Sequence, residues 1–225
     1  MITVQELHKS YATKRVLRGI SYDFEAGKIY GIVGKNGAGK TTFFKCLAGL
    51  HGYEGEISYG SPGTAHHIGF LYTQPITMSY ITGWEYLKLH CSARGLTRED
   101  FEEQNIFELP LNEYIEHYST GMLKKLAFMA LLLQKNELFI LDEPFNGVDI
   151  QSNIILSAVI QKLKSAKKTL LISSHIYSSL QENCDEILVL NNGTFEEPVH
   201  KADFNRLGEQ LKNDIVDTRL DGLEF

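Results

Sequence analysis

The stretch Gly34-Lys35-Asn36-Gly37-Ala38-Gly39-Lys40-Thr41-Thr42 constrains this chain more than any other. An apolar, β-prone run, Ile29-Tyr30-Gly31-Ile32-Val33, stands directly before it. Directly after it comes Phe43-Phe44-Lys45-Cys46-Leu47-Ala48, whose apolar spacing suits a helix packed on a sheet. The order is strand, glycine loop, helix, and the pattern G-x-x-x-x-G-K-[ST] is met in full. Gly34, Gly37 and Gly39 lack a Cβ, so the loop can take positive φ and turn its backbone N–H groups against an anion. The helix opens with orphan donors and a positive dipole end at the same point, which favours a polyphosphate there. Lys40 is placed to reach the β- and γ-phosphates as a mobile point charge, and the Thr41 hydroxyl to supply part of an octahedral Mg²⁺ shell. The bland alternative is a glycine-rich turn without a ligand. A bare GxG fits it, whereas Gly37-Ala38-Gly39-Lys40-Thr41 between a strand and a helix does not.

At 225 residues the chain is one large domain, or a core with a small subdomain, able to bury its own interior. Apolar residues make up 43% and charged ones 22%, a globular balance. The formal charge of −6, with Lys162, Lys164, Lys167 and Lys168 as its densest basic cluster, excludes general nucleic-acid binding by charge. The longest apolar run, Leu126 to Leu133, falls far short of a bilayer span, and the first residues read as a strand rather than a signal peptide. The expectation is a chain that does not itself cross a membrane. Cys46, Cys91 and Cys184 are odd in number and widely spaced, with no CxxC pair, which fits reduced packing thiols in a cytosol and offers no metal framework.

In chain order, strand-like runs Ile2 to Leu7 and Val16 to Phe24 flank the turn-prone Ser10 to Lys14, and the alternation Ile20 to Phe24 predicts a half-buried antiparallel strand. Short strands follow at Gly55 to Gly60 and Ile68 to Tyr72, with a turn at Gly60 to Gly63 between them. From about 76 to 118 the spacing turns helical, with Trp84, Leu87 and Leu89 in Thr82 to Arg94, then Phe101 and Phe107, and predicts a small helical subdomain inserted in the core. Ser119 reads as the cap of a helix from Met122 to Leu133. A buried strand ending in Asp142-Glu143 comes next. It is followed by a helix from Ile150 to Ala166, a strand Thr169 to Ser173, a helix Tyr177 to Asn183 and a strand Glu186 to Leu190. The Asn191-Asn192-Gly193 turn signals a hairpin into Thr194 to Val199. An acidic, weakly helical tail fills about 203 to 225.

Four apolar residues ahead of Asp142-Glu143 put both acids at the C-terminal end of a central strand, where open α/β sheets bind ligands. Because successive strand residues point to opposite sides, the pair divides its work. Asp142 holds Mg²⁺ as the partner of Thr41, and Glu143 deprotonates the attacking water. The alternative is a strand that simply ends in two solvated acids. A lone His at a strand end reads first as a surface residue, but the strand ending in His175 is predicted beside the one carrying Glu143, which makes a γ-phosphate contact by its imidazole sterically reasonable. Gln74, also at a strand end, can ligate Mg²⁺ through its amide oxygen and bond the attacking water. His66, His67, His90, His117 and His200 have no such setting and read as structural.

This ordered set resembles the ATP-binding subunit of an ATP-binding cassette (ABC) transporter, over nearly the whole chain to about Val199. The carriers are the aromatic Tyr11, the Walker A loop Gly34 to Thr42, Gln74, a signature at Tyr118-Ser119-Thr120-Gly121-Met122, a Walker B strand ending Asp142-Glu143, a D-loop at Asn146 to Asp149, and His175. The resemblance implies an α/β P-loop core with a mixed sheet, an N-terminal antiparallel β subdomain and the inserted helical subdomain, all one ABC domain over residues 1–225. It implies ATP and Mg²⁺ as ligands, with Tyr11 stacked on adenine and Val16 packed near the nucleotide; an ordinary turn aromatic is the other reading of Tyr11. The signature departs from Leu-Ser-Gly-Gly-Gln at Tyr118, Thr120 and Met122 but keeps Ser119 and Gly121. In the family it caps the γ-phosphate held by an opposite subunit, so a two-fold dimer with two sandwiched ATP molecules is implied. Its Met-containing form resembles exporter-type members. Also implied are separate membrane-spanning permease subunits and a place on the cytoplasmic face of the membrane. Tyr72, Tyr80, Trp84 and Tyr86 then line a groove for the membrane partner, or else form subdomain core. The resemblance implies an ATPase that powers transport, with a soluble ABC ATPase of non-transport assembly or regulatory role as the alternative; a small-molecule P-loop kinase is a third reading, and the signature, D-loop and His175 argue against it.

Overall fold

The computed structural model describes residues 1–60 and 67–220. The turn read at Gly60 to Gly63, His66 and the last residues of the tail fall wholly or partly outside them. The elements run β1 (Ile2–Tyr11), β2 (Lys14–Phe24), β3 (Ile29–Val33), α1 (Lys40–Leu47), β4 (Glu54–Tyr59), β5 (Ile68–Leu71), α2 (Gly83–Ser92) and α3 (Thr120–Leu133). They continue with β6 (Leu138–Asp142), α4 (Ile150–Ser165), β7 (Thr169–Ser173), α5 (Tyr177–Asn183), β8 (Glu186–Asn191), β9 (Thr194–Phe195), β10 (Val199–His200) and α6 (Phe204–Leu220).

Two sheets organise the chain. The first is antiparallel, in the order β2-β1-β4. The second runs β10-β8-β3-β7-β6-β5, parallel from β8 to β5, with β10 antiparallel at one edge and β9 paired antiparallel to β8. The fold is therefore α/β with a mixed main sheet and an N-terminal antiparallel β subdomain. The Asn192-Gly193 turn, both residues at positive φ, closes the β8–β9 hairpin.

Alternation sets the two cores. On β3, Tyr30 and Ile32 face a cluster built with Phe43, Phe44, Leu17 and Phe24, so the main sheet meets α1 and the antiparallel sheet on that side. Ile29 and Val33 face the opposite cluster, with Leu126, Met129, Leu156, Ile160 and Leu180 from α3, α4 and α5. The same division repeats along β6 and β7, which is why their sequences read as unbroken apolar runs rather than alternating ones. Each fully buried Phe or Leu contributes about 1.5–3 kcal/mol, so these faces fix the strands whose ends carry the site.

The inserted region is less helical than its spacing predicts. α2 is regular, with a capping box in which the Thr82 hydroxyl accepts from the Glu85 N–H and the Glu85 carboxylate accepts from the Thr82 N–H. Phe101 and Phe107, however, lie in turns. Both are buried, and Trp84 meets Phe101 edge-on at 4.9 Å. Their spacing therefore recorded burial beneath irregular chain rather than a helix period. The proposed aromatic groove also divides. Tyr86 is core, Trp84 is partly buried against it, and Tyr80, at positive φ, is 82% exposed.

Candidate active site

The C-terminal ends of β3, β5, β6 and β7 open into one cleft of about 460 Å³. Its lining includes Asn36, Gly37, Gly39, Lys40, Thr41 and Thr42 from the glycine loop and the start of α1. Tyr11, Lys14 and Val16 come from the β1–β2 hairpin, and Thr73, Asp142, Glu143 and His175 from the strand ends.

The loop's geometry follows from its glycines. Gly39 takes φ 112° at the cap of α1 and offers no side-chain acceptor, so the first α1 N–H groups have no cap hydrogen bond. A Cβ there would sit 3.0–3.1 Å from Leu17 and Val16. A Cβ on Gly34 would meet the Leu190 carbonyl at 2.4 Å, so only glycine lets the loop lie against β8 at that point. Lys40 is buried, and its ammonium folds back to donate to the Gly34 carbonyl at 2.7 Å, with the Lys35 carbonyl at 3.4 Å. Burial pulls its pKa down, against the opposing pull of Glu143 and Asp142. Gly34, Lys35 and Ala38 shape the loop without lining the cleft.

At the end of β6, Asp142 is buried and accepts three hydroxyl hydrogen bonds. Thr41 and Thr73 donate to Oδ2 at 2.6 and 2.8 Å, and Ser173 donates to Oδ1 at 2.6 Å. Glu143 does not continue the strand. It takes φ 55°, the left-handed region, so its carboxylate turns into the same cleft instead of following strand alternation. This corrects the expectation that the two acids separate because successive strand residues face opposite ways. The bend is held by the Glu143 N–H, which donates to Ser173 Oγ at 3.0 Å and to the Ser173 carbonyl at 3.2 Å. The carboxylate Oε2 accepts from the His175 backbone N–H at 3.0 Å. Among the described residues the buried Oε1 has no hydrogen-bond partner; His175 Nε2 lies 3.2 Å away, at ion-pair distance should the imidazole be protonated.

β6 and β7 are parallel neighbours, which brings His175 beside Glu143 as its strand-end position required. Gln74 is exposed and is not among the cleft-lining residues; its neighbour Thr73 is. Tyr11 is 44% exposed at the mouth, its hydroxyl 2.6 Å from His51 Nδ1 and its ring 5.2 Å from the Lys9 ammonium. Ser119 and Gly121 sit away from the cleft. The Ser119 Oγ caps α3 by accepting from the Met122 N–H at 3.2 Å, and a Cβ on Gly121 would come within 2.7 Å of the Gly147 carbonyl. Sequence reasoning missed Ser173, Thr73, Lys14 and His51. Ser173 had a signal, a polar side chain closing an apolar strand, and it pairs in register with Asp142.

The residues present fit Mg²⁺ with a polyphosphate. Thr41 and Asp142 point oxygen donors at one point, and among the described residues no cluster of three His, Cys, Asp or Glu side chains forms a dedicated cage. This suits an ion that takes one or two protein oxygens and completes its shell with phosphate and water.

The family model for ABC transporters matches residues 17–146, from β2 through the D-loop's first residue. The chain is 33% identical over 219 residues to an uncharacterised ABC transporter ATP-binding protein from a Nostoc species, covering 86% of this chain and 64% of that one. It is 29% identical over 241 residues to the ABC-type transporter ATP-binding protein EcsA of Bacillus subtilis, covering 99% and 94%. A solved structure of an ATP-binding subunit of an ABC transporter superposes with a TM-score of 0.83 at 27% identity, covering 93% of both chains. The chain belongs to the ABC transporter family, as an ABC ATPase of its ATP-binding type.

Proposed function

We propose that this chain binds ATP with Mg²⁺, hydrolyses it with Glu143 as general base, and powers transport, in the export direction, through separate membrane-spanning subunits. One observation carries the hydrolytic reading: Glu143 lines the cleft, and among the described residues its buried Oε1 has no hydrogen-bond partner. An acceptor left open beside the glycine loop is what a base needs to take a proton from water attacking the γ-phosphate.

Each residue then has a task. The loop N–H groups from Gly34 to Thr42 hold phosphate oxygens, and the Lys40 ammonium leaves the Gly34 carbonyl for them. Thr41 and Asp142 hold Mg²⁺, which supplies charge neutralisation at the phosphates. Gln74, exposed in this structure, would add its amide oxygen to that shell and hydrogen-bond the attacking water. Glu143 takes the water's proton, and the His175 imidazole donates to the γ-phosphate. Tyr11 stacks on adenine, with Val16 against the nucleotide. Ser119 and Gly121, on a different face, cap the nucleotide of a second ATP-binding subunit, either another copy or a related cassette. The chain works on the cytoplasmic face of the membrane; among the described residues no helix is long and apolar enough to cross it.

The test is phosphate release without any acceptor, together with light scattering of Glu143→Gln in ATP without Mg²⁺. Acceptor-free release by the parent, and an ATP-dependent dimer with release lowered at least about 100-fold in Glu143→Gln, are expected. Normal turnover by Glu143→Gln would remove Glu143 as the base.

A further inference from the structure

Lys124 is 3% exposed, in the second turn of α3 and five residues past Ser119. A buried ammonium persists only where acceptors hold it, so its partners indicate what it is for. They are two main-chain carbonyls: Glu143 at 2.9 Å and Asn146 at 2.6 Å. The first belongs to the residue bent to positive φ at the end of β6, the second to the first residue of the D-loop. Next on the helix, Lys125 pairs with Asp149 at 3.1 Å, at the D-loop's other end. Between these two grips, Gly121 approaches the Gly147 carbonyl so closely that a Cβ would meet it at 2.7 Å. The first turns of α3 therefore run along the whole Asn146–Asp149 segment and are fastened to it at both ends.

We propose that Lys124 is a positioning residue for hydrolysis. Its ammonium locks the Glu143 main chain and the D-loop to the helix that begins at Ser119, so that the base is aligned only when that helix is seated. The inference rests on the reading of Glu143 as base. It goes beyond that reading by making the helix bearing Ser119 and Gly121 a mechanical neighbour of the chain's own carboxylate. Burial lowers the ammonium's pKa while Glu143 and Asp142 raise it. The two carbonyls receive a donor that water cannot replace without opening the helix–loop contact.

Removing the ammonium takes one donor from the Glu143 carbonyl, which keeps the Asn146 N–H at 3.3 Å, and loosens the residue on the side of α3; misplacement of a reacting group by about 1 Å can cost about 100-fold in rate. Lys124→Met, close in size and without a donor, is expected to lower kcat for ATP by roughly 10- to 100-fold while KM stays within about twofold, because the glycine loop is untouched. Lys124→Gln, which keeps two N–H donors but no charge, is expected to recover part of the loss, and it decides by the same split if the Met variant does not fold. A kcat within about twofold of the parent overturns the inference, as does a parallel loss of kcat and ATP affinity. Glu143→Gln is measured alongside. Normal turnover there overturns the base, whereas an inactive Glu143→Gln beside a normal Lys124→Met overturns the role of Lys124 alone.

Discussion

Ser173→Ala tests the arrangement of the two acids directly. The Ser173 side chain is fully buried; its hydroxyl donates to Asp142 Oδ1 at 2.6 Å and accepts from the Glu143 N–H at 3.0 Å. Alanine removes both bonds and adds no bulk. Asp142 keeps Thr41 and Thr73 on its other oxygen, and the Glu143 N–H keeps the Ser173 carbonyl at 3.2 Å. The loss is therefore one charge-assisted bond, about 1.5–3 kcal/mol, plus part of a neutral one, about 0.5–1 kcal/mol. A total of about 2–4 kcal/mol corresponds, in a domain of this size, to a fall in Tm of about 4–16 °C. Thermal unfolding of the nucleotide-free protein followed by circular dichroism reads it, with Ser174→Ala as the comparison, since among the described residues the Ser174 hydroxyl accepts only from the Ile176 N–H. A Ser173→Ala shift below about 1 °C would refute the reasoning, because a buried carboxylate cannot lose its donor on one oxygen at no cost.

Two further outcomes follow from particular side chains. Lys40→Ala is expected to weaken ATP binding at least about 10-fold by equilibrium titration, since it removes the cation over the phosphates while leaving the glycine loop's N–H groups in place; unchanged affinity would sink the phosphate-site assignment. At high pH the fold is expected to weaken. Burial pushes the Tyr30 phenol up from 10.0 to about 12, so the unfolded chain releases that proton from about pH 10 while the folded chain holds it until about 12. Stability is thus complete below pH 10 and lost as pH rises through that window, by up to about 3 kcal/mol from Tyr30 alone. Tyr22, raised further by burial and by its bond to Glu186, acts in the same direction. Urea midpoints of the parent and Tyr30→Phe across pH 9–12 check this; equal slopes would contradict it.

What the sequence could reveal depended on whether the physics was local. The strand–loop–helix at Ile29 to Leu47, the Ser119 cap and the Asn192-Gly193 hairpin turn were all legible, because glycine conformation, capping and apolar period are written within a few residues. The adjacency of β6 and β7, which joins Glu143 to His175, was predicted for these successive strands and holds in the sheet. The bend at Glu143 was not legible: a non-glycine residue at φ 55° is stabilised by Ser173, thirty residues on, and by Lys124, nineteen back. Nor was the burial of Lys124, since nothing in the Met122-to-Leu133 pattern separates a lysine that snorkels from one that finds two carbonyls. Phe101 and Phe107 misled for a related reason, because a period of burial also arises in irregular chain folded under a helix.

At Glu143 a positive φ and a buried, unbonded polar atom, each found elsewhere among the described residues, fall on one residue. Glu143 sits in a backbone region that costs an L-residue about 1–2 kcal/mol, its side chain is 5% exposed, and one carboxylate oxygen has no hydrogen-bond donor. An uncompensated arrangement of this kind would relax by rotating φ and carrying the carboxylate toward solvent. Three elements oppose that relaxation: β7 through Ser173, the segment after it through the His175 N–H, and α3 through Lys124. Each holds a different atom, the amide nitrogen, Oε2 and the carbonyl oxygen respectively, so the residue is fixed on every polar atom except Oε1. A merely structural acid would have its free oxygen satisfied first, because that is the cheapest interaction to make. Strain held by neighbours around a single open acceptor is the arrangement expected where the acceptor is kept for a proton that arrives with substrate.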